Sequence, residues 1–351
     1  MFVGWREIRF AKGRFLLIGT TVALIMVLVG FLSGLTGGLA VQNVAGVLGW
    51  PADRIVFGRP SGAAVTFADS EVTSQQAAQW QQATGIRSVD PVGVSQTRAR
   101  STQASAAVTV FGVEPGWVPT SPTRDGALGL SSEAAQQLQV GVGDPVTIDG
   151  RGFVVETIGG EWWYSHTPVV QMAIADWRAM APADGSFASV LVVTGDADWS
   201  ALDATAGTRS TSVLDALTAI PAFRSETGSL LLMVAMLFAI SALVVGAFFT
   251  VWTMQRKGDI AVLKALGAST RTLVRDALGQ ALVVLLGGIG VGLAAVVGFG
   301  LMVGSVLPFL LSPLTTLVPA LVMVALGLLG AGLALRSVTT ADPLTALGAN
   351  R

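Results

Sequence analysis

The side chains of this chain of 351 residues offer no recognisable catalytic or metal-binding constellation. His166 is the only histidine and there is no cysteine, which leaves little for a zinc site or a Ser-His-Asp triad. No Gly-x-x-x-x-Gly-Lys-Ser/Thr segment occurs, so we do not expect the chain to bind ATP. Basic residues are few and lie close to long apolar runs, which argues against nucleic-acid binding. The sequence therefore predicts a protein that is not an enzyme, with no metal centre of its own.

A small group of candidate ligand side chains remains, comprising a carboxylate, two thioethers, a phenol and an imidazole. They are Glu226, Met233, Met26, Tyr164 and His166. Glu226 lies at the start of an apolar run, and a spacing of seven residues puts Met233 on the same helical face. Met26 lies inside another apolar run, whereas Tyr164 and His166 share an aromatic loop at 161–166.

Each candidate also has a purely structural interpretation. Methionines in apolar runs usually serve packing. Glu226 can mark only the edge of a bilayer, and the aromatic loop can pack against the membrane surface.

Four apolar runs must position these side chains, at about 15–35, 230–252, 281–301 and 317–335. Each approaches the roughly 20 residues that span a bilayer as a helix. Mean hydropathy is +0.66 and charged residues make up only 12% of the chain, which is typical of a membrane protein. The first run is long for a signal peptide and lacks a clear cleavage site, so we expect a retained helix.

The distribution of charge predicts the orientation of these helices. All three lysines and eight of the arginines lie before the first run, between the second and third, or after the fourth. Residues 40–226 instead carry ten arginines against 18 acidic residues, a net charge of −8. By the positive-inside rule we expect a multi-pass protein of the cell membrane with both termini cytoplasmic.

The long segment between the first two runs reads as an α+β domain that folds without disulfides. We expect strands at 56–67, 106–113, 145–148, 152–158, 169–173 and 189–193. Helices are expected at 70–82, 132–138 and 214–219, with Ser70 and Thr73 as candidate caps of the first. Asp149-Gly150 predicts a hairpin turn.

The basic loop at 253–280 has a helical pattern of its own. Ile260, Leu263 and Leu266 recur at three-residue steps, and Gly267-Ala268-Ser269 then interrupts the pattern as a helix end and a new start would. The loop is either an amphipathic helix that docks on a cytoplasmic partner or a solvated loop that only sets topology.

A resemblance favours the first interpretation. Residues 256–268 resemble the R-x-x-E-I-a-x-L-k-A-l-G-a segment of MacB/FtsX-type ABC permeases, with Asp259 where glutamate is more frequent. Residues 130–144 resemble a segment of the MacB-type periplasmic domain. The resemblance implies a dimeric permease whose loop contacts two copies of a separate ABC-type ATPase. The coupling residues would be Asp259, Ile260, Leu263, Lys264 and Leu266.

The resemblance also bears on the dimer and on the substrate. The spacing of Gly30 and Gly34 permits close helix packing, and a dimer interface along the first two spans agrees with it. In architecture the chain most resembles haem-exporter permeases of the HrtB type and their DevC-like relatives, within the type VII transporters. That likeness implies haem as transported ligand, with no intrinsic cofactor and membrane lipid as surroundings. Alternatives are export of, or mechanotransmission for, a macrolide, peptide, glycolipid or lipoprotein, and an FtsX-like regulator of cell-wall hydrolases.

These expectations divide the chain into nine segments. They are an amphipathic helix (1–13), TM1 (14–39), the extracytoplasmic domain (40–226), TM2 (227–252), the coupling loop (253–280), TM3 (281–304), an outer turn (305–314), TM4 (315–336) and a cytoplasmic tail (337–351).

Overall fold

The computed structural model describes residues 12–58, 65–180, 187–255, 258, 262, 267, 269–303 and 307–339. The helices among them are α1 (Lys12–Leu48), α2 (Ser74–Gln81), α3 (Ser132–Leu138), α4 (Ile174–Met180), α5 (Trp199–Ala206), α6 (Val213–Ala216), α7 (Pro221–Gln255), α8 (Thr270–Val303) and α9 (Pro313–Thr339). A short 3-10 helix, Leu217–Ala219, follows α6. The strands are β1 (Arg54–Gly58), β2 (Ile86–Arg100), β3 (Ser105–Val113), β4 (Ala127–Leu130), β5 (Pro145–Ile148), β6 (Arg151–Ile158), β7 (Trp163–Tyr164), β8 (Thr167–Ala173), β9 (Val190–Gly195) and β10 (Thr208–Thr211).

The chain divides into two compact units. One comprises Met1–Gly38 and Ser229–Arg351, and we call it the membrane unit; the other is Leu39–Gly228, the inserted unit. Among the described residues, four helices are long and apolar enough to cross a membrane: α1, α7, α8 and α9. The predicted fold class is therefore confirmed, with four such helices and a mixed α and β domain inserted between the first two.

The first two of these helices are longer than the apolar runs that predict them. Helix α1 has 37 residues and α7 has 35. At 1.5 Å per residue each extends for more than about 50 Å, whereas the hydrocarbon core of a bilayer is about 30 Å thick. Helix α1 extends beyond its apolar run to Leu48, and α7 begins before its apolar run, at Pro221.

Within the membrane unit, small residues let α1 approach α8 closely. A Cβ on Gly288 would lie 2.7 Å from the Gly19 carbonyl oxygen, and one on Gly292 would lie 2.6 Å from that of Ala23. Both distances are shorter than a real Cβ contact, so only glycine allows this backbone approach. Met26, a candidate ligand, is fully buried at this contact.

The inserted unit contains an antiparallel sheet and a mixed sheet, which share one long strand, β2. The first part of β2 pairs with β9 in the order β10-β1-β9-β2, and its second part pairs with β3. The second sheet continues through β8, β4 and β6 to β5, which pairs back onto β2 through Ala99–Ile148 and Arg100–Thr147. This sheet is therefore closed into a small barrel, which leaves it no free edge.

Several predicted elements of this unit are observed, and others need correction. The helix at 132–138 and the hairpin turn at Asp149-Gly150 are confirmed, the turn having φ of 47° and 80°. Of the strand predicted over 56–67, residues 56–58 belong to β1 and residues 59–64 lie outside the described residues, whereas Phe67 lies in a turn. Strand β2 was not predicted, because Pro91 and Gly93 interrupt its pattern.

Of the two candidate caps of α2, only one is observed as the N-cap. Thr73 is the N-cap and forms a capping box with Gln76. Ser70 is not a cap, because its hydroxyl accepts from the Gly58 N–H and donates to the Ser189 carbonyl. Ser70 thus links the last residue of β1 to Ser189, the residue directly before β9.

Both ends of the predicted loop at 253–280 belong to the flanking helices. Helix α7 continues to Gln255, and α8 begins at Thr270. The predicted new helix start is observed: Gly267 has a φ of 91°, and the Ser269 hydroxyl accepts from the Thr272 N–H at the start of α8. The predicted coupling residues Asp259, Ile260, Leu263, Lys264 and Leu266 lie outside the described residues, as do residues 1–11 of the helix predicted over 1–13.

Candidate ligand site at Asn43, His166 and Glu226

A two-residue turn presents His166. Ser165 and His166 join β7 to β8 and have positive φ angles of 48° and 63°, the backbone of a two-residue hairpin turn. Positive φ is uncommon for residues other than glycine, so surrounding contacts must hold this turn. They do: the N–H groups of Ser165 and His166 donate to the carbonyls of Asn43 and Gln42 in α1, at 3.1 and 3.0 Å.

Two glycines let α1 lie against this hairpin. A Cβ on Gly46 would be 3.0 Å from the Trp163 carbonyl oxygen, and one on Gly49 would be 1.8 Å from the Trp162 ring. Larger residues at either position would push the helix away from β7. The glycines therefore bring Asn43, one turn earlier in α1, beside His166.

The imidazole and carboxylate of two distant residues meet here. His166 Nε2 lies 2.9 Å from Oε1 and 2.8 Å from Oε2 of Glu226, which belongs to the second turn of α7. Their side chains are 34% and 38% exposed, so the pair is accessible from solvent. An ionised carboxylate only accepts hydrogen bonds, and so Nε2–H donates to Glu226.

Asn43 is the third member of the cluster and contacts both His166 and Glu226. Its side chain is only 1% exposed, and its Nδ2 group donates to the Leu39 carbonyl at 3.1 Å and to Glu226 Oε2 at 3.0 Å. Rotating the carboxamide by half a turn would place its oxygen against two other oxygens, so this orientation is required. The cluster thus ties α1, α7 and the β7–β8 turn together.

Tyr164, next to this turn in sequence, has a different environment from His166. Its ring is buried and makes edge contacts with Phe67 and Phe111, both with centroids at 5.8 Å. Burial raises the pKa of the phenol well above its ordinary value. Tyr164 is therefore a core residue of the inserted unit in which the phenolate form is disfavoured.

The other predicted residues belong to the membrane unit. Met233 is half-exposed on α7, and Met26 is buried between α1 and α8. Gly30 and Gly34 face Val296 and Phe309 of their own chain, where added Cβ atoms would lie at 2.8 and 2.4 Å. The structure thus gives both glycines a packing role within one chain, and their role between two copies stays a prediction.

Asn43 was not among the residues predicted from the sequence. A signal was present, because Asn43 is the only asparagine before position 350 and directly follows a long apolar run. A carboxamide in such a helix is costly to bury unless it is hydrogen-bonded, so it points to a polar partner. Its partner, Glu226, is 183 residues away and could not be read from local pattern.

The imidazole and carboxylate of this site suit a metal complex whose own donor atoms already fill most of the metal's coordination positions. Imidazole and carboxylate are good ligands for iron and other transition metals. Among the described residues, however, no group of three or more His, Cys, Asp or Glu side chains could hold a bare metal ion. Four candidate spans and an inserted domain among the described residues define the class: a multi-pass membrane protein.

Comparison with known proteins identifies that class further. The family described as "FtsX-like permease C-terminal" matches residues 231–343. A putative hemin transport system permease protein HrtB of Staphylococcus haemolyticus is 25% identical over 99% of both chains. An uncharacterized ABC transporter permease of Mycobacterium tuberculosis is also 25% identical over 99% of both. Residues 231–343 thus match the FtsX-like permeases, and the chain is a non-catalytic permease subunit of an ABC transporter of the MacB/FtsX type.

Two solved structures resemble the inserted part of the chain. The periplasmic region of MacB from Actinobacillus actinomycetemcomitans is 12% identical, covering 49% of this chain and 94% of that one, with a TM-score of 0.37. The extracellular domain of YknZ from Gram-positive bacteria is 15% identical, covering 45% and 97%, with a TM-score of 0.35.

Proposed function

We propose that this permease exports haem from the outer leaflet of the cell membrane, using ATP hydrolysed by a separate ABC-type subunit. The observation that carries the proposal is the accessible His166–Glu226 pair, in which Nε2 lies 2.8 Å from Oε2. Relatives that match this chain from end to end are named putative hemin transport permeases, which supports the same substrate.

The chemistry of haem fits a site with few protein ligands. The porphyrin supplies four nitrogens to its iron, so the protein needs to offer only one axial ligand on a face. His166 and Glu226 each offer a ligand of the right type. A dedicated cage of side chains, as a bare ion would need, is not required.

The amphipathic character of haem fits a site supplied by α1 and α7. Both helices combine an apolar span with a polar residue of the cluster, Asn43 in α1 and Glu226 in α7. Met233 follows Glu226 by seven residues, a spacing that puts both on one face of α7. The inserted unit lies outside the cytoplasm in this proposal, as the charge distribution predicts.

Export would need a second copy of the chain and two ATPase subunits. In a two-fold dimer, two copies of the site would face the two sides of one porphyrin. ATP binding would act on the loop between α7 and α8, including Leu263, and press the spans together so that the ligand leaves outward.

Haem titration of the purified protein, read by the Soret band, tests the proposal. Glu226→Ala and His166→Ala should each weaken binding or change the spectrum, and Met233→Ala tests the predicted slot. Glu156→Ala is the matched control, because Glu156 is also a hydrogen-bonded carboxylate of the inserted unit, accepting from the Thr123 N–H at 2.9 Å. The purification tag must contain no histidine.

Growth on toxic concentrations of haem provides the second readout. Cells that produce the transporter should tolerate haem, and those with Glu226→Ala or His166→Ala should not. Unchanged spectra and unchanged protection in both variants would contradict the proposal. Protection against a macrolide or peptide instead would assign a different amphipathic substrate.

A further inference from the structure

The structure leaves one nitrogen of His166 available while the other is fully engaged. Nε2 contacts both oxygens of Glu226 and the amide of Asn43, within 3.2 Å. Nδ1 makes no hydrogen bond to any of the residues that the structure describes. The side chain is one-third exposed, and Nδ1 is the ring nitrogen that these contacts leave unused.

The tautomer of this imidazole follows from counting hydrogens. The carboxamide of Asn43 has two N–H bonds, and both are used, one by Leu39 and one by Glu226 Oε2. Asn43 therefore has no hydrogen left for His166, and its 3.2 Å contact with Nε2 is one of packing. Since Nε2 carries the hydrogen that goes to Glu226, the neutral ring has its lone pair on Nδ1.

We propose that His166 ligates the haem iron through Nδ1, with Glu226 and Asn43 as positioning residues behind it. The inference rests on the proposed function and assigns different roles to two residues that were equivalent candidates. A carboxylate that accepts from the far N–H of a ligating histidine fixes its tautomer and orientation and makes it a stronger donor. Glu226 is placed for that role by its contact with Nε2.

Asn43 has a separate task in this arrangement. It is buried, it is anchored to its own helix through Leu39, and it holds Oε2 of Glu226 at 3.0 Å. Charge-assisted bonds of this kind are stronger than neutral ones. Without Asn43 the carboxylate would lose one fixed contact, and its alignment with the imidazole would loosen.

The backbone supports the same assignment. The N–H of His166 donates to Gln42 at 3.0 Å, and Ser165 donates to Asn43, so the turn has a fixed position on α1. Positive φ at both turn residues is a strained conformation that contacts must maintain. A pre-positioned imidazole is what a single axial ligand requires.

Because the chain has a single histidine, the ligand can be identified without ambiguity. The full-length protein, tagged without histidine, is loaded with haem, reduced and examined by resonance Raman and optical spectroscopy. We expect an iron–histidine stretching band in the wild type. It should vanish in His166→Gly and return when imidazole is added.

The positioning roles have their own spectroscopic signature. In Glu226→Gln the imidazole loses its anionic partner, so the iron–histidine band should move to lower frequency while haem remains bound. Asn43→Leu should shift the band in the same direction and weaken haem affinity about tenfold. Gln280→Leu is the matched control, since Gln280 is another buried carboxamide that donates to a carboxylate, Asp276 Oδ2 at 3.0 Å.

The outcomes separate this inference from the proposed function. Haem binding with no histidine band, lost in Glu226→Ala and retained in His166→Gly, overturns the assignment but leaves haem export intact. A histidine band that neither Glu226→Gln nor Asn43→Leu shifts overturns the positioning roles. If the wild type binds no haem, the proposed function fails and the assignment fails with it.

Discussion

His166 and Glu226 are 60 residues apart in the chain, and yet Nε2 of one lies 2.8 Å from Oε2 of the other. The contact joins the β7–β8 turn to the second turn of α7. Asn43 of α1 touches both residues, at 3.2 and 3.0 Å. Three segments from different parts of the sequence thus form one polar cluster, and the proposals above follow from its geometry.

Tyr164 tests whether the neighbouring core belongs to the ligand site. Tyr164→Phe keeps the ring contacts with Phe67 and Phe111, so we expect unchanged haem binding and stability. Tyr164→Ala removes the buried ring and should lower the free energy of unfolding by about 3 kcal/mol. Thermal unfolding and haem titration of both variants measure this. Loss of haem binding in Tyr164→Phe alone would show that the phenol is a ligand after all.

Cross-linking tests the predicted dimer along the first two spans. The chain has no cysteine, so single cysteines can be introduced without background. Positions such as Leu28 and Leu243 suit this better than Gly30 and Gly34, because they are exposed in one chain. We expect cross-links between copies at these positions and none at Leu333 on α9, an equally exposed control. Cross-links at Leu333 alone would place the interface elsewhere.

Leu263 tests the predicted coupling to the ATPase. Leu263→Asp puts a charge on the apolar face that Ile260, Leu263 and Leu266 form at helical spacing, and should abolish co-purification with the ATPase. Truncation to alanine should cost roughly 2 kcal/mol of binding free energy if this residue is a hot spot. Val262→Asp, off that face, is the control. Normal stimulation of ATP hydrolysis by Leu263→Asp would rule the assignment out.

Asp53 tests the electrostatics of the inserted unit. The Gly195 N–H and the Arg87 guanidinium both donate to Oδ2, at 2.9 and 2.8 Å, and together lower the pKa of this carboxyl. A lowered pKa stabilises the folded state above the unfolded value of about 3.9, and that stabilisation disappears as pH falls through the folded value. Asp53→Asn should therefore have a lower Tm than the wild type at pH 7.

The same comparison at progressively lower pH should show the difference shrinking, because the wild-type carboxyl becomes protonated as pH falls through its lowered pKa. Asp125→Asn, the same change of charge at a carboxylate without these contacts, should leave Tm unchanged at each pH. A difference between Asp53→Asn and the wild type that does not change with pH would assign the effect to packing instead.

Local chemistry was sufficient to predict much of the architecture. An apolar run of about 20 residues satisfies its own backbone as a helix, so the four spans could be recognised without knowledge of their neighbours. The turn at Asp149-Gly150 and the break at Gly267 also depend on the conformational preferences of one or two residues. These features are set by contacts within a few positions of the chain.

Only the tertiary structure determined the rest. Strand β2 exists because β9 and β3 pair with its two parts, although Pro91 and Gly93 give it no strand pattern of its own. The cluster of Asn43, His166 and Glu226 requires the glycine-mediated approach of α1 to β7 and the early start of α7. Periodicity reports which face of an element is apolar, but it does not report which distant element will cover that face. The ligand site therefore depends on long-range packing that local sequence does not encode.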